Sequence, residues 1–202
     1  GGMGAYSPAP VVTDKVHQLI MDKVMRPTLR GMAAEGNRYT GFLYAGLMID
    51  PWGEPKVIEF NCRFGDPETQ PIMLRMQSDL VAHCLAAAEG RLANETARWD
   101  PRPAVGVVLA AKGYPGTYAK GMVISGLGSE QDGDEKIFHA GTSLANGEVI
   151  TSGGRVLCAT ALGDSVSAAQ TKAYALADRV HWDGITLRRD IGFRAIEREN
   201  PA

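Results

Sequence analysis

Apolar residues recur at helical spacing near the start of the chain, at Val16, Leu19, Ile20 and Val24. This pattern predicts a helix over residues 13–35, begun by a Thr13 or Asp14 cap and followed by Gly36 as the residue that ends it. Pro27 lies inside the predicted helix and is expected either to kink it or to start a second one.

The next segments predict a β-hairpin and another helix. Bulky residues from position 39 onwards, the turn residues 50–55 and the run that ends at Asn61 together predict a hairpin over 39–61. A helix is predicted over 71–90, where proline suits the first turn. Its buried stripe is expected to consist of Met73, Met76, Leu80 and Cys84.

The second half of the chain has a different pattern of apolar and polar residues. Residues 91–103 are polar with two prolines and predict a linker. One helix is predicted over 165–181. Short apolar runs separated by glycine predict strands at 105–111, 122–124, 136–138, 148–150 and 156–162. The fold class expected from these elements is α+β, with one domain at 1–101 and a small β-rich domain at 102–202.

Composition excludes several classes of protein. The 202 residues are 45% hydrophobic and 22% charged, which is typical of a folded globular chain. No run of about 18 apolar residues and no signal-peptide pattern is visible, so no membrane association is expected. A net charge of −2 gives no reason to expect a nucleic-acid partner. Three widely spaced cysteines predict free thiols in a reducing cytoplasm.

The candidate chemistry lies at the end of the predicted hairpin. Side chains alternate along a strand, so Glu59 and Asn61 point the same way with Cα atoms about 7 Å apart. A carboxylate and an amide oxygen on one strand suit Mg²⁺, which also takes water and substrate phosphates as ligands. Arg63 lies on the same side if the strand continues, where its guanidinium can hold a phosphate or carboxylate.

A purely structural interpretation competes with this one. Glu-x-Asn is common at strand ends, and an arginine near a carboxylate is often a simple ion pair. Ile58 and Phe60 are expected on the opposite, apolar side. Cys62 is expected to be a small buried hydrophobic residue, because no histidine lies nearby in the sequence to activate it.

A longer run makes the chain recognisable, namely Arg63-Phe64-Gly65-Asp66-Pro67-Glu68-Thr69-Gln70. It resembles the signature octet of the phosphoribosylamine–glycine ligase family, also called glycinamide ribonucleotide synthetases, within the ATP-grasp superfamily. Further segments that resemble the family follow in the same order along the chain. They are residues 1–8, 39–47, 138–142, 153–157 and 189–192.

The resemblance implies that the chain is the C-terminal half of a longer enzyme. Residues 1–101 would be the later part of an ATP-grasp domain, an antiparallel sheet with flanking helices, and 102–202 the family's C-terminal domain. The N-terminal half of the same enzyme would be the partner that covers ATP. The 202-residue chain by itself is therefore expected to be inactive.

The family's reaction is implied in two steps. The carboxylate of glycine attacks the γ-phosphate of ATP, and the amine of 5-phosphoribosylamine then attacks the resulting glycyl phosphate. The resemblance assigns Glu59 and Asn61 as ligands of Mg²⁺ or Mn²⁺ and as ATP contacts, and Arg63 and Asp66 as catalytic residues. Many ATP-grasp enzymes have a further acidic ligand on the preceding strand, which residues 44–48 lack here.

The same resemblance assigns Gly2, Met3, Gly4 and Arg63 to substrate binding. A plain surface loop is the alternative for residues 1–6. Turn formation and helix initiation are the alternatives for Asp66 and Glu68. The arginines of the C-terminal segment either contact substrate phosphate or form a solvated basic face; they are Arg188, Arg189 and Arg194.

Two other functional classes stay open. One is a non-catalytic folded fragment or assembly module, suggested by the missing ATP-covering lobe. The other is an ATP-grasp ligase that joins a different acid and amine, which Glu-x-Asn permits and the octet disfavours.

Overall fold

The computed structural model describes residues 2–128 and 133–199, which group into two compact units. The helix–hairpin unit comprises Ala9–Gly65 and Met76–Trp99. The sheet unit comprises the described residues of Gly1–Pro8, Asp66–Arg75 and Asp100–Ala202. Within the described residues, no helix has the length and apolar character needed to cross a bilayer.

The helix–hairpin unit begins with the predicted helical segment. Helix α1 (Asp14–Ile20) passes through a π-helical turn, Met21–Met25, into α2 (Arg26–Ala34). The Thr13 hydroxyl accepts a hydrogen bond from the Val16 backbone N–H at 3.3 Å, which confirms the predicted cap. Pro27 lies in the first turn of α2, where a missing N–H is tolerated.

The predicted hairpin is confirmed. Strand β2 (Tyr44–Ile49) pairs antiparallel with β3 (Pro55–Asn61) as a two-stranded sheet. The Asp50 carboxylate fixes the turn by accepting hydrogen bonds from the backbone N–H groups of Trp52 at 3.0 Å and Glu54 at 2.9 Å. A side chain that accepts hydrogen bonds from two N–H groups of the turn stabilises the turn locally.

The prediction of a single helix over 71–90 is wrong. The structure has α3 (Thr69–Arg75), α4 (Leu80–Ala88) and a short 3₁₀ turn, Leu92–Asn94. The Asp79 carboxylate caps α4 by accepting from the Val81 N–H at 2.8 Å. Met76 leaves the helix to form a β-bridge with Trp99, and Cys84 is exposed. The predicted stripe is therefore not a buried surface, because the capping aspartate ends the helical run.

The sheet unit contains α3, a five-stranded sheet, a separate hairpin and two further helices. The sheet runs in the order β1-β4-β8-β5. The short strand β9 also pairs with β4, where it follows β1 along the same edge. The strands are β1 (Gly4–Ser7), β4 (Ala104–Ala111), β5 (Glu135–His139), β8 (Arg155–Leu162) and β9 (Ile185–Thr186). The hairpin is β6 (Thr142–Ala145) with β7 (Glu148–Thr151), and the helices are α5 (Val166–Ala177) and α6 (Phe193–Glu199).

Strand β4 is apolar throughout because both faces of the sheet are covered. All eight of its residues are buried. Val105 and Val107 pack in one cluster with Ala169 and Ala173 of α5. On the opposite face, a Cβ on Gly106 would lie 3.1 Å from the Pro71 ring of α3. Close approach of helix and strand therefore requires a glycine here.

The sheet unit does not coincide with the predicted domain at 102–202. Residues of β1 and α3 lie in it although both precede the predicted division at residues 101 and 102. The α+β class stands. The strand at 4–7 and the helix at 193–199 were not predicted, and residues 122–124 form only an isolated bridge at Val123.

The three cysteines are free thiols, as predicted. Cys158 is buried in β8, and burial raises the pKa of its thiol to about 11. Cys62 is exposed, so its predicted burial is wrong. The reason is that Cys62 follows β3 in a sheet of only two strands.

One ion-pair network of the sheet unit is expected to make stability depend on pH. The Arg102 guanidinium bonds to Asp100 at 2.8 Å and to Asp134 at 2.6 Å. These hydrogen bonds lower the pKa of both carboxyls. A lowered folded-state pKa gives stability that is complete above the unfolded value of about 4 and is lost as the pH falls.

Arg102→Met is therefore expected to lower the free energy of unfolding at pH 7 and to flatten its decline below about pH 4. Urea unfolding between pH 7 and 3 measures both effects. Arg91→Met is the matched control, because Arg91 pairs with Glu89 where both side chains are 47% exposed. Equal pH profiles for the two variants would contradict a special role for the Arg102 network.

Candidate metal and nucleotide site

Strand β3 places Glu59 and Asn61 on one side of the hairpin, as alternation predicts. The Asn61 amide nitrogen donates a hydrogen bond to Glu59 Oε1 at 3.1 Å. In the ladder, Glu59 lies opposite Gly46 and Asn61 opposite Tyr44. A Cβ at Gly46 would lie 3.1 Å from Glu59 Cγ, so the glycine leaves space for the glutamate side chain.

Arg63 completes this side of the hairpin. Strand β3 ends at Asn61, yet the Arg63 guanidinium turns back to donate to Asn61 Oδ1 at 3.4 Å and to the Phe64 carbonyl at 2.8 Å. The Phe64 ring packs on the Phe42 ring with centroids 4.0 Å apart. The backbone that carries Arg63 is thereby anchored while the charged group faces Asn61.

The opposite side of β3, on which Ile58 and Phe60 were expected, is exposed. Their side chains are 65% and 40% exposed. The physical reason is that this sheet has only two strands, which bury little apolar surface by themselves. The alternation is present in the sequence, but burial of the apolar side needs a neighbouring element.

The donor set on β3 fits a hard divalent cation. Glu59 supplies carboxylate oxygens and Asn61 an amide oxygen, and a site with few protein ligands suits Mg²⁺, which keeps several waters. Asn61 Oδ1 accepts a long hydrogen bond from Arg63 at 3.4 Å, and an amide oxygen has two lone pairs with which it can accept. Among the described residues, no three His, Cys, Asp or Glu side chains come together as a metal cluster.

Asp66 lies in the sheet unit and has a partner that the sequence did not indicate. Its carboxylate Oδ2 accepts a hydrogen bond from Arg155 NH2 at 2.5 Å. Arg155 lies in the 153–157 segment that resembles the family, but the spacing of residues gave it no role. The catalytic assignment of Asp66 stays a prediction.

The predicted substrate segment is partly a strand. Gly4 begins β1 opposite Val107, and the Met3 carbonyl accepts a hydrogen bond from the Val108 N–H at 3.1 Å. A Cβ at Gly4 would lie 2.6 Å from Ile191, so packing alone requires this glycine. Gly2 has a left-handed φ of 83°, which favours glycine for conformational reasons.

The C-terminal arginines have partners or neighbours within the sheet unit. Arg188 pairs with Asp190 at 2.5 Å and Arg189 with Asp178 at 2.7 Å. The Arg194 guanidinium lies 5.5 Å from the centroid of the Phe193 ring. Their contact with a substrate phosphate stays a prediction.

Known proteins match both parts of the chain. Residues 1–69 match the family described as phosphoribosylglycinamide synthetase, ATP-grasp (A) domain, and 104–194 match its C domain. The phosphoribosylamine–glycine ligase of Vibrio cholerae is 66% identical over 199 residues, which is 98% of this chain and 46% of the relative. That of Escherichia coli strain K12 is 66% identical over 98% of this chain and 47% of the relative.

Solved structures show the same similarity. A crystal structure of phosphoribosylamine–glycine ligase from Thermotoga maritima has a TM-score of 0.76 and 39% identity, covering 94% of this chain and 46% of that one. The biotin carboxylase domain of Hydrogenobacter thermophilus 2-oxoglutarate carboxylase, solved with MgADP, has a TM-score of 0.64 over 98% of this chain and 42% of that one. Its 14% identity supports the fold alone.

The match of residues 1–69 to an ATP-grasp domain, together with the α+β fold of the described residues, defines the class as an ATP-grasp enzyme. Both family matches describe one kind of enzyme and cover most of the residues. The chain belongs to the phosphoribosylglycinamide synthetase family. It spans about half the length of the curated relatives that it matches.

Proposed function

We propose that the chain forms the C-terminal half of an ATP-dependent ligase that joins glycine to 5-phosphoribosylamine. The product is glycinamide ribonucleotide, an intermediate of purine synthesis, with ADP and phosphate. The observation that carries the proposal is 66% identity to phosphoribosylamine–glycine ligases over 98% of the chain. The Glu59, Asn61 and Arg63 array on the hairpin supports it, because its donors match a metal and phosphate site.

In the first step a glycine carboxylate oxygen attacks the γ-phosphorus and the bond to ADP breaks. Glu59 and Asn61 would hold Mg²⁺ or Mn²⁺ and the phosphates in register from one rigid strand. When bound, the metal neutralises charge on the transferred phosphoryl group. Arg63 supplies a fixed positive charge two residues beyond Asn61 that stabilises the acyl phosphate.

In the second step the amine nitrogen of 5-phosphoribosylamine attacks the carbonyl carbon of glycyl phosphate. The carbon–oxygen bond to phosphate breaks, phosphate leaves and the amide forms. Gly2, Met3 and Gly4 contribute backbone to the substrate site, and Asp66 is the candidate for holding the amine. We propose a cytoplasmic location, since all three thiols are free.

The proposal is tested with a complete ligase in which this chain is extended to the length of its relatives. Phosphate release from ATP and Mg²⁺ is expected only when glycine and 5-phosphoribosylamine are both present. The 202-residue chain alone is expected to release none. Activity with a different acid and amine pair would indicate another ATP-grasp ligase, and no activity with any pair would favour a non-catalytic assembly module.

A further inference from the structure

Arg155 joins three segments that are far apart in the sequence. It begins β8, and its guanidinium contacts the Gly2 carbonyl at 3.1 Å and the Asp66 carbonyl at 3.2 Å through NH1. NH2 bonds to the Asp66 carboxylate at 2.5 Å. A guanidinium has fixed donor directions, so these bonds set the relative positions of the two partner segments.

The surroundings of Arg155 restrict its side chain to this position. The guanidinium carbon lies 5.9 Å from the centroid of the Tyr114 ring, and the side chain is 25% exposed. A Cβ at Gly154 would lie 2.4 Å from Tyr114 Cδ2, so the backbone before Arg155 is pressed against that ring. A Cβ at Gly2 would lie 2.6 Å from Arg155 NH1. Close contact on both sides leaves little freedom for the guanidinium.

A cavity of about 390 Å³ lies beside these contacts. Met3 and Tyr114 line it, together with Pro115, Thr186, Leu187 and Arg188. Arg155 bonds to the residue before Met3 and lies against the Tyr114 ring, so it fixes two walls of the cavity. The volume is within the range of small-molecule sites. Arg188 brings a guanidinium to the lining, and two of its nitrogens also bond to the Asp190 carboxylate.

We infer that Arg155 is a positioning residue for substrate binding, an inference that rests on the proposed function. It holds the Met3 segment and Asp66 so that the cavity accepts the anionic group of a substrate. That group is either the phosphate of 5-phosphoribosylamine or the carboxylate of glycine. Arg155 acts through Gly2 and Asp66, since three of its hydrogen bonds are directed to their oxygen atoms.

The test measures the complete ligase with Arg155→Ala and Arg155→Lys. Arg155→Ala is expected to raise the KM of one anionic substrate by about 10- to 100-fold while the KM of ATP stays unchanged. A rise for 5-phosphoribosylamine identifies the phosphate, and a rise for glycine identifies the carboxylate. Lysine restores the charge but cannot bond to Gly2 and Asp66 at the same time in fixed directions, so rescue by Arg155→Lys is expected to be partial.

Further measurements separate positioning from folding. Arg179→Ala, which removes an exposed arginine of the sheet unit, is expected to leave the KM values of ATP, glycine and 5-phosphoribosylamine unchanged. Amide hydrogen exchange of residues 2–8 is expected to be faster in Arg155→Ala. Arg155→Lys keeps the site testable if Arg155→Ala does not fold. Wild-type activity with unchanged KM values in both Arg155 variants overturns the inference, whereas an inactive wild-type ligase overturns the proposed function itself.

Discussion

Glu59→Gln in the complete ligase is expected to lower turnover by about 10²-fold or more, because it removes the only negative charge of the β3 donor set. Glutamine keeps the size of the side chain and its hydrogen bond from Asn61. The free energy of unfolding is expected to change by less than about 0.5 kcal/mol, since Glu59 is exposed. The measurement is the rate of phosphate release as a function of Mg²⁺ concentration.

The matched control for this substitution is Glu148→Gln. Glu148 is an exposed glutamate on β7, outside the hairpin that carries the candidate site. Its turnover is expected to equal that of the wild type at every Mg²⁺ concentration. Normal turnover of Glu59→Gln at limiting Mg²⁺ would show that Glu59 does not hold the metal.

Gly126→Ala is expected to destabilise the sheet unit by about 3 kcal/mol, because it combines backbone strain with a steric clash. Gly126 has a φ of 80°, and a Cβ there would lie 1.8 Å from the Arg179 carbonyl oxygen. The clash is with backbone, which a side-chain rotation cannot relieve. The bridge between Ser125 and His181 holds these two segments together. Urea unfolding at pH 7 measures the effect.

Gly121→Ala separates the two causes. Gly121 has a similar φ of 85°, but no atom lies within 4 Å of an added Cβ. Its cost is expected to be about 1 kcal/mol from the left-handed backbone alone. Both variants gain equally from the lower entropy of the unfolded alanine chain, so that contribution cancels. Equal losses for the two variants would refute the predicted clash at Gly126.

Local patterns were sufficient where one segment controls its own conformation. The Thr13 cap, the Asp50 turn and the hairpin around it depend on side chains within a few residues of the backbone that they bind. The helix predicted over 71–90 failed for a related reason. The apolar spacing continues past residue 79, but the Asp79 carboxylate caps the N-terminus of a new helix that begins at Leu80.

The sequence by itself determined the side-chain order on β3. Alternation with a period of two puts Glu59 and Asn61 on one side of the strand whatever the rest of the chain does. The octet that follows indicated the family, and the matches to its ATP-grasp and C domains confirm it.

Only the tertiary structure decided which distant segments meet. Arg155 reaches Asp66 across 89 positions and Gly2 across 153, and β1 at the start of the chain pairs with β4 in its middle. No periodicity encodes such pairs, because they form when the sheet and α3 pack against each other. Their cost in chain entropy is offset by burial of the whole core, so the partner of Asp66 became visible only in the folded chain.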